Sequence, residues 1–128
     1  MLGKKKSSDT LSAAVDPDHF QPTSQPEFIH RGWQYFSLKK YDKAEADFLE
    51  ALRQNPEDAD AAYALALTYK SSGQGEKALQ MFQKFLNLIE NSDDLVRASM
   101  LRRLTEGHMN EIRNGVWNRE KGVWLART

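Results

Sequence analysis

From Glu27 to about Arg113, apolar residues recur at three- and four-residue steps, the spacing that collects them on one face of an α-helix. Five such stretches follow one another. The first carries Phe28, Gly32, Tyr35 and Phe36, with Arg31 and Lys39 between them. Lys39-Lys40-Tyr41-Asp42 interrupts it, and Asp42 offers an N-cap for a second helix from Lys43 to Gln54, with Ala44, Phe48, Ala51 and Leu52 on one face. Asn55-Pro56 ends that helix, because proline has no amide to donate and restrains its predecessor. A third helix is predicted from about Asp58 to Ser71 through Ala62, Leu65, Ala66 and Tyr69, with Gly73 and Gly75 supplying the next turn. The fourth, Glu76 to Glu90, carries Ala78, Leu79, Phe82, Phe85, Leu86 and Ile89. Ser92 or Asp93 caps a fifth that reaches Arg113, with Leu101, Leu104, His108 and Ile112 stacked on one face. No strand is needed before residue 114, so the predicted class is all-α.

The two ends break the pattern. Residues 1–25 hold Pro17 and Pro22 among Ser, Thr, Asp and Gln, with Pro26 next, and offer little apolar surface to offset the entropy of ordering. They are expected to be a disordered tail. The alternative is a short docking segment using Leu11, Ala14, Val15 and Phe20. Over residues 114–128, Asn114-Gly115 is a turn signal, and Val116-Trp117 and Val123-Trp124 flank a polar stretch, which suits an irregular or hairpin-like tail. A helix is the other reading, since Trp117, Lys121 and Trp124 also fit its spacing, although Gly115 and Gly122 oppose it.

A repeat underlies the helices. A shift of 34 residues lays Tyr35 on Tyr69, Lys43 on Lys77, Ala44 on Ala78, Phe48 on Phe82, Leu52 on Leu86 and the small Gly32 on the small Ala66. A fixed period of this size marks supersecondary units that cannot bury their apolar faces singly. The residues resemble the tetratricopeptide repeat, a helix–turn–helix unit, over residues 25–92. With Gln25 as the first position, Gly32, Tyr35, Tyr41, Ala44, Phe48, Ala51 and Pro56 fall on the motif; the second unit, from Ala59, places Leu65, Ala66, Tyr69, Gly73, Ala78 and Phe82 there. Arg31, Phe85 and Glu90 depart from it, standing where leucine, alanine and proline are usual. The small residues permit close helix crossings, and the aromatic ones fill the space beside them.

The resemblance implies an architecture and a function. Repeats 25–58 and 59–92 would stack as a short right-handed solenoid closed by a solvating helix over 93–113, making one domain over 26–113. The leading helices of such repeats usually line a concave surface that binds a partner, so the chain is expected to be an adaptor or scaffold taking a protein or peptide in an apolar groove. The positions carried over are Ile29, Trp33 and Phe36 in the first unit, and Tyr63, Leu67 and Lys70 with Asp60 in the second. The spacing of Ile29, Trp33 and Phe36 independently widens the apolar arc of the first helix beyond what a core stripe requires. Occlusion by the Phe20 segment or the Trp117/Trp124 tail, and self-association through the groove or that tail, remain the competing readings. Chaperone C-terminal tails are not expected as partners, because Ile29, Trp33 and Ala64 occupy positions where a cationic clamp would be needed, with Asp94 and Ala98 near the rest.

Composition narrows the picture further. Eighteen basic and eighteen acidic residues balance, so neither nucleic acid nor anionic lipid is indicated as a partner. Basic residues do gather after Arg97, which reads as a solvated face. No apolar run is long enough for a transmembrane helix, no apolar stretch follows Lys4-Lys5-Lys6, and Leu2 stands where myristoylation needs glycine, so a cytoplasmic protein is expected. The absence of cysteine excludes disulfides and thiolate metal sites. His19, His30 and His108 are scattered, His108 with Glu111 makes a weak metal pair, and no phosphate loop or nucleophile elbow is present. No enzyme activity, catalytic residue, metal or cofactor is expected.

Overall fold

A computed structural model describes residues 16–115 of the chain. Leu11, Ala14 and Val15 and the segment holding Trp117 and Trp124 lie outside the described residues. Five α-helices account for most of the described chain: α1 (Gln25–Ser37), α2 (Tyr41–Gln54), α3 (Ala59–Ser71), α4 (Gly75–Ile89) and α5 (Leu95–Asn114). The predicted all-α class is present, with no strand among the described residues. Internal contacts divide the chain after Pro56 into two compact units, one built on the α1–α2 hairpin and one on α3, α4 and α5.

In the first unit, Ala44, Phe48 and Ala51 are fully buried and Tyr35 nearly so. The crossing of α1 and α2 is tight. A Cβ on Gly32 would lie 2.6 Å from Cε1 of Phe48, closer than two carbons can pack, so glycine is what lets the Phe48 ring sit there. Arg31, the departure from the motif, meets Asp47 in a two-pronged ion pair: Nε donates to Oδ2 and Nη2 to Oδ1, each at 2.8 Å. Asp47 is buried, so this pair is part of the core of the hairpin.

The chain from Asp16 to Ser24, expected to belong to a disordered tail, is instead attached to this hairpin. A short 3-10 turn over Pro17–His19 buries Pro17. The Tyr35 hydroxyl donates to Asp18 at 2.8 Å, Lys43 reaches the same carboxylate at 3.3 Å, and the third guanidinium nitrogen of Arg31 donates to the Phe20 carbonyl at 3.0 Å. Composition argued for disorder because the segment holds few apolar side chains; its attachment uses charge and backbone groups, which composition does not display.

The second unit repeats the design. Asp58 caps α3, its side chain accepting from the Ala61 amide at 3.1 Å, and Ala62, Leu65, Ala66, Ala78 and Phe82 are buried. Helix α5 packs on α4. Its cap is Asp94, accepting from the Arg97 amide at 2.9 Å, one or two residues past the expected Ser92 or Asp93. The covered face of α5 runs through Ala98, Leu101, Thr105, His108, Met109 and Ile112. Leu104, expected on that face, is exposed, because it lies to one side of the Leu101–Thr105 line that faces α4.

Both hairpin turns are built alike. The amide of Lys40 bonds to the Tyr35 carbonyl at 2.9 Å, and that of Gln74 to the Tyr69 carbonyl at 2.8 Å. In each, the residue before the bonded amide takes a left-handed backbone: Lys39 at φ 63° and Gly73 at φ 80°. These turn bonds do the work assigned to an Asp42 cap. Helix α2 begins at Tyr41 without a side-chain cap, and Asp42 lies in its first turn, where a carboxylate complements the helix dipole.

Candidate functional site

On α1, Ile29, Trp33 and Phe36 lie along one strip, as their steps of four and three require. Ile29 and Phe36 are half-buried. Trp33 is 36% exposed, and its ring meets Phe36 and Phe48 edge-on, each with centroids 5.3 Å apart. Phe36 in turn meets Tyr41 at 5.4 Å. The indole is therefore braced by the hairpin while presenting an open face. Tyr41, read from the sequence only as a turn residue, continues the strip; the signal that could have found it was its aromatic ring directly after the turn, within reach of a residue one helical turn back on α1.

The equivalent residues of α3 meet a different environment. Tyr63 is half-buried among Phe82, Phe85 and His108, with ring centroids at 5.9, 4.9 and 5.9 Å. His108 lies parallel to Phe82, 5.2 Å away. Its Nε2 is 3.0 Å from the Tyr63 hydroxyl, and its Nδ1 is 2.9 Å from the Lys70 ammonium. An ammonium has only protons to give, so Nδ1 accepts and the imidazole proton resides on Nε2, facing Tyr63. Lys70 also donates to Glu111.

Electrostatics follow from this packing. Burial, helped by the Lys70 charge, lowers the His108 pKa to about 4. Burial likewise raises that of Tyr63, and the Lys70 hydrogen bond lowers that of Glu111. Lys70, named from the sequence as a partner contact, is engaged by α5 of its own unit. Leu67 is half-buried, and Asp60 is exposed in the first turn of α3.

Of the six expected contact residues, Ile29, Trp33 and Phe36 form a strip on α1, Tyr63 and Lys70 are held by α5, and Leu67 is half-buried on α3. The α1 strip is largely aromatic, with its rings in edge-on contact and no ionisable side chain among Ile29, Trp33 and Phe36. Among the described residues there is no cluster of three or more metal-binding side chains, and no helix long and apolar enough to cross a membrane.

Helical hairpins repeating at 34 residues, with small residues at their crossings, define a helical-repeat protein. Residues 35–101, just over half of the chain, match the tetratricopeptide repeat model, and the chain belongs to that family. A TPR repeat-containing protein of Methanocaldococcus jannaschii is 31% identical over 61 residues, which is 48% of this chain and 11% of the relative. The match therefore spans a small part of that relative's length. No solved structure matches. Repeats of this family generally mediate protein–protein interaction, and the family is one of non-enzymatic modules.

Proposed function

We propose that this protein is an adaptor or scaffold that captures an apolar segment of a partner protein, with Ile29, Trp33 and Phe36 of α1 as its principal contacts and Tyr41 extending them. The observation that carries this reading is Trp33, a large ring left 36% exposed yet braced by Phe36 and Phe48. A braced indole loses little freedom on binding, and tryptophan truncation is among the costliest changes at protein interfaces. Tyr63, Leu67 and Lys70 have a secondary part in this proposal, because α5 already engages two of them. The strip has no cation for a pair of carboxylates, and Ala64 is buried, which favours an apolar segment over an acidic tail.

The test is affinity capture with wild type and Trp33→Ala, with far-ultraviolet circular dichroism as the control for folding. The variant is expected to lose at least about tenfold in affinity, the scale of an interface hot spot, with its helical signal intact. Undiminished capture by a folded Trp33→Ala would remove the strip from the site. Sedimentation over a dilution series separates an external partner from a second copy: a dimer that dissociates on dilution and is lost in Trp33→Ala assigns the strip to self-assembly.

A further inference from the structure

Helix α5 carries a second apolar surface over its N-terminal half. Leu95, Val96 and Met100 are 73, 72 and 68% exposed, and Leu104 is 41% exposed. Val96, Met100 and Leu104 stand four residues apart and form one ridge along the helix; Leu95, Ser99 and Arg103 form the next. Leu95, Val96, Ser99, Met100 and Arg103 line a shallow depression between these ridges, where Ser99 is small beside its neighbours Leu95 and Arg103. Four large aliphatic side chains open to solvent on one helix form the kind of contiguous patch that usually marks a contact.

We propose that this face takes an acidic amphipathic helix of a partner protein: its aliphatic ridge enters the depression, and aspartate or glutamate beside that ridge meets Arg97 and Arg103. The relief suits a helix. Side chains at four-residue steps, with a groove running alongside, are the surface into which a second helix packs its own ridge. The unbranched Met100, at the centre of the ridge, adapts to whatever aliphatic side chains arrive.

Charge decides the chemistry of that helix. Residues 95–104 hold Arg97, Arg102 and Arg103 and no acidic residue. All three arginines are exposed, and among the described residues none of them pairs with a carboxylate. By helical position, Arg103 borders one side of the Val96–Met100–Leu104 ridge and Arg97 the other. Acidic flanks on a partner are therefore attracted on both sides, and basic flanks are repelled. A second copy of this face would bring the same three arginines and is disfavoured as the occupant. Glu90, Asp93 and Asp94, which precede the helix, oppose a broad anionic surface such as a bilayer. A single helix is only about 10 Å across and need not lie over them.

The test uses the full chain and two fluorescent peptides of about 20 residues, both with leucine at three- and four-residue steps and alanine on the far face. They differ only in carrying glutamate or lysine beside the leucines. By fluorescence anisotropy, the glutamate peptide is expected to bind at least about tenfold more tightly than the lysine peptide. Arg97→Glu/Arg103→Glu is expected to reverse that preference. Both positions are exposed, and a carboxylate at position 97 suits the first turn of α5, so the variant is expected to keep its circular dichroism. Val96→Ser/Met100→Ser is expected to weaken the glutamate peptide at least about tenfold. Trp33→Ala is expected to leave it unchanged, which separates this surface from the α1 strip. Equal binding of the two peptides, a preference that survives the charge reversal, or no binding up to about 1 mM would overturn the proposal. So would capture of the chain by anionic vesicles that Arg97→Glu/Arg103→Glu abolishes, which assigns the face to lipid, or a dimer that Val96→Ser/Met100→Ser dissociates, which assigns it to a second copy.

Discussion

The helices of the first and second hairpins start at a spacing of 34: α1 and α3 begin at Gln25 and Ala59, and α2 and α4 at Tyr41 and Gly75, with α4 running one residue further than α2. Even the ammonium–ring contacts recur, with Lys43 5.5 Å from the Tyr35 ring and Lys77 5.6 Å from that of Tyr69. The interiors nevertheless differ. Where the first hairpin places Arg31 against Asp47, the second has Leu65 and Met81, and where the first has Gly32 under Phe48, the second has Ala66. The turns and helix starts are therefore specified by the repeat, while the crossing between helices tolerates either an ion pair or an apolar pair. What the ion pair adds is a third hydrogen bond, to the Phe20 carbonyl, which fastens the preceding segment to the hairpin.

This comparison is broken most severely by removing one ion. Asp47→Ala leaves the largely covered Arg31 without its carboxylate, and the expected loss of stability is about 3 kcal/mol, as for a buried pair deprived of one partner. The double variant Arg31→Leu/Asp47→Met writes the second hairpin's solution into the first. Its stability is expected to lie within about 1 kcal/mol of wild type, since apolar replacements of buried pairs are often neutral or better. Urea denaturation of Arg31→Leu, Asp47→Met and the double measures the coupling. A double variant as unstable as Asp47→Ala would mean that the two crossings are not interchangeable. The double is also expected to loosen residues 16–24, seen as faster amide exchange there, because the Phe20 carbonyl loses its donor.

The next difference is one of charge. In the second unit, His108 of α5 lies among the rings of Tyr63 and Phe82 and is held neutral down to about pH 4 by burial and by Lys70, with Glu111 opposing. Its folded pKa is below the unfolded value of about 6.5, so the unfolded chain binds the proton more readily. The resulting stability is fully present above about pH 6.5, declines as pH falls, and is gone near pH 4, where the folded imidazole also protonates. For a ring that is only partly covered, the contribution is about 1 kcal/mol after allowing for solvent screening. Between pH 7 and 4.5, wild type is expected to lose that much more stability than His108→Gln, which keeps a donor towards Tyr63. Parallel losses in the two proteins would show that carboxylates alone govern the acid response.

The helices and their period were legible in the sequence because both rest on local spacing. Gly32, Ala44, Phe48 and their counterparts were recognisable as core from period and size alone, and all of them are buried. The exposed ring of Trp33 followed from its place beside the core stripe. What could not be read depends on residues distant in sequence. Nothing near Lys70 announces that it will donate to Glu111, 41 residues away, or that Tyr63 will meet His108, 45 residues away. The attachment of Asp16 to Ser24 was hidden for a related reason: its partners, Arg31, Tyr35 and Lys43, look like solvent-facing or core residues until the hairpin brings them together. Helix α2 starts two residues before its expected position because its turn is held by backbone bonds at a lysine, where a glycine would have signalled it.

That lysine gives the mildest and sharpest comparison. Lys39 and Gly73 occupy equivalent turn positions with left-handed backbones. A side chain there costs roughly 1–2 kcal/mol through the clash of Cβ with the carbonyl oxygen, whereas glycine costs about 0.5–1 kcal/mol in unfolded-chain entropy. The first hairpin accepts the strain although the second avoids it. Lys39→Gly is therefore expected to stabilise the protein by about 0.5 kcal/mol, and Gly73→Lys to destabilise it by about as much. No neighbouring atom lies within 4 Å of a Cβ built on Gly73, so the cost of that second substitution comes from the backbone rather than from a clash with other side chains. Thermal melts of both variants measure the two changes. If Lys39→Gly instead lowers the melting temperature, the lysine side chain must be doing something for the first hairpin that its equivalence to Gly73 conceals, and the search for it would begin at Lys40 and Lys43, the two cations that already reach Asp18.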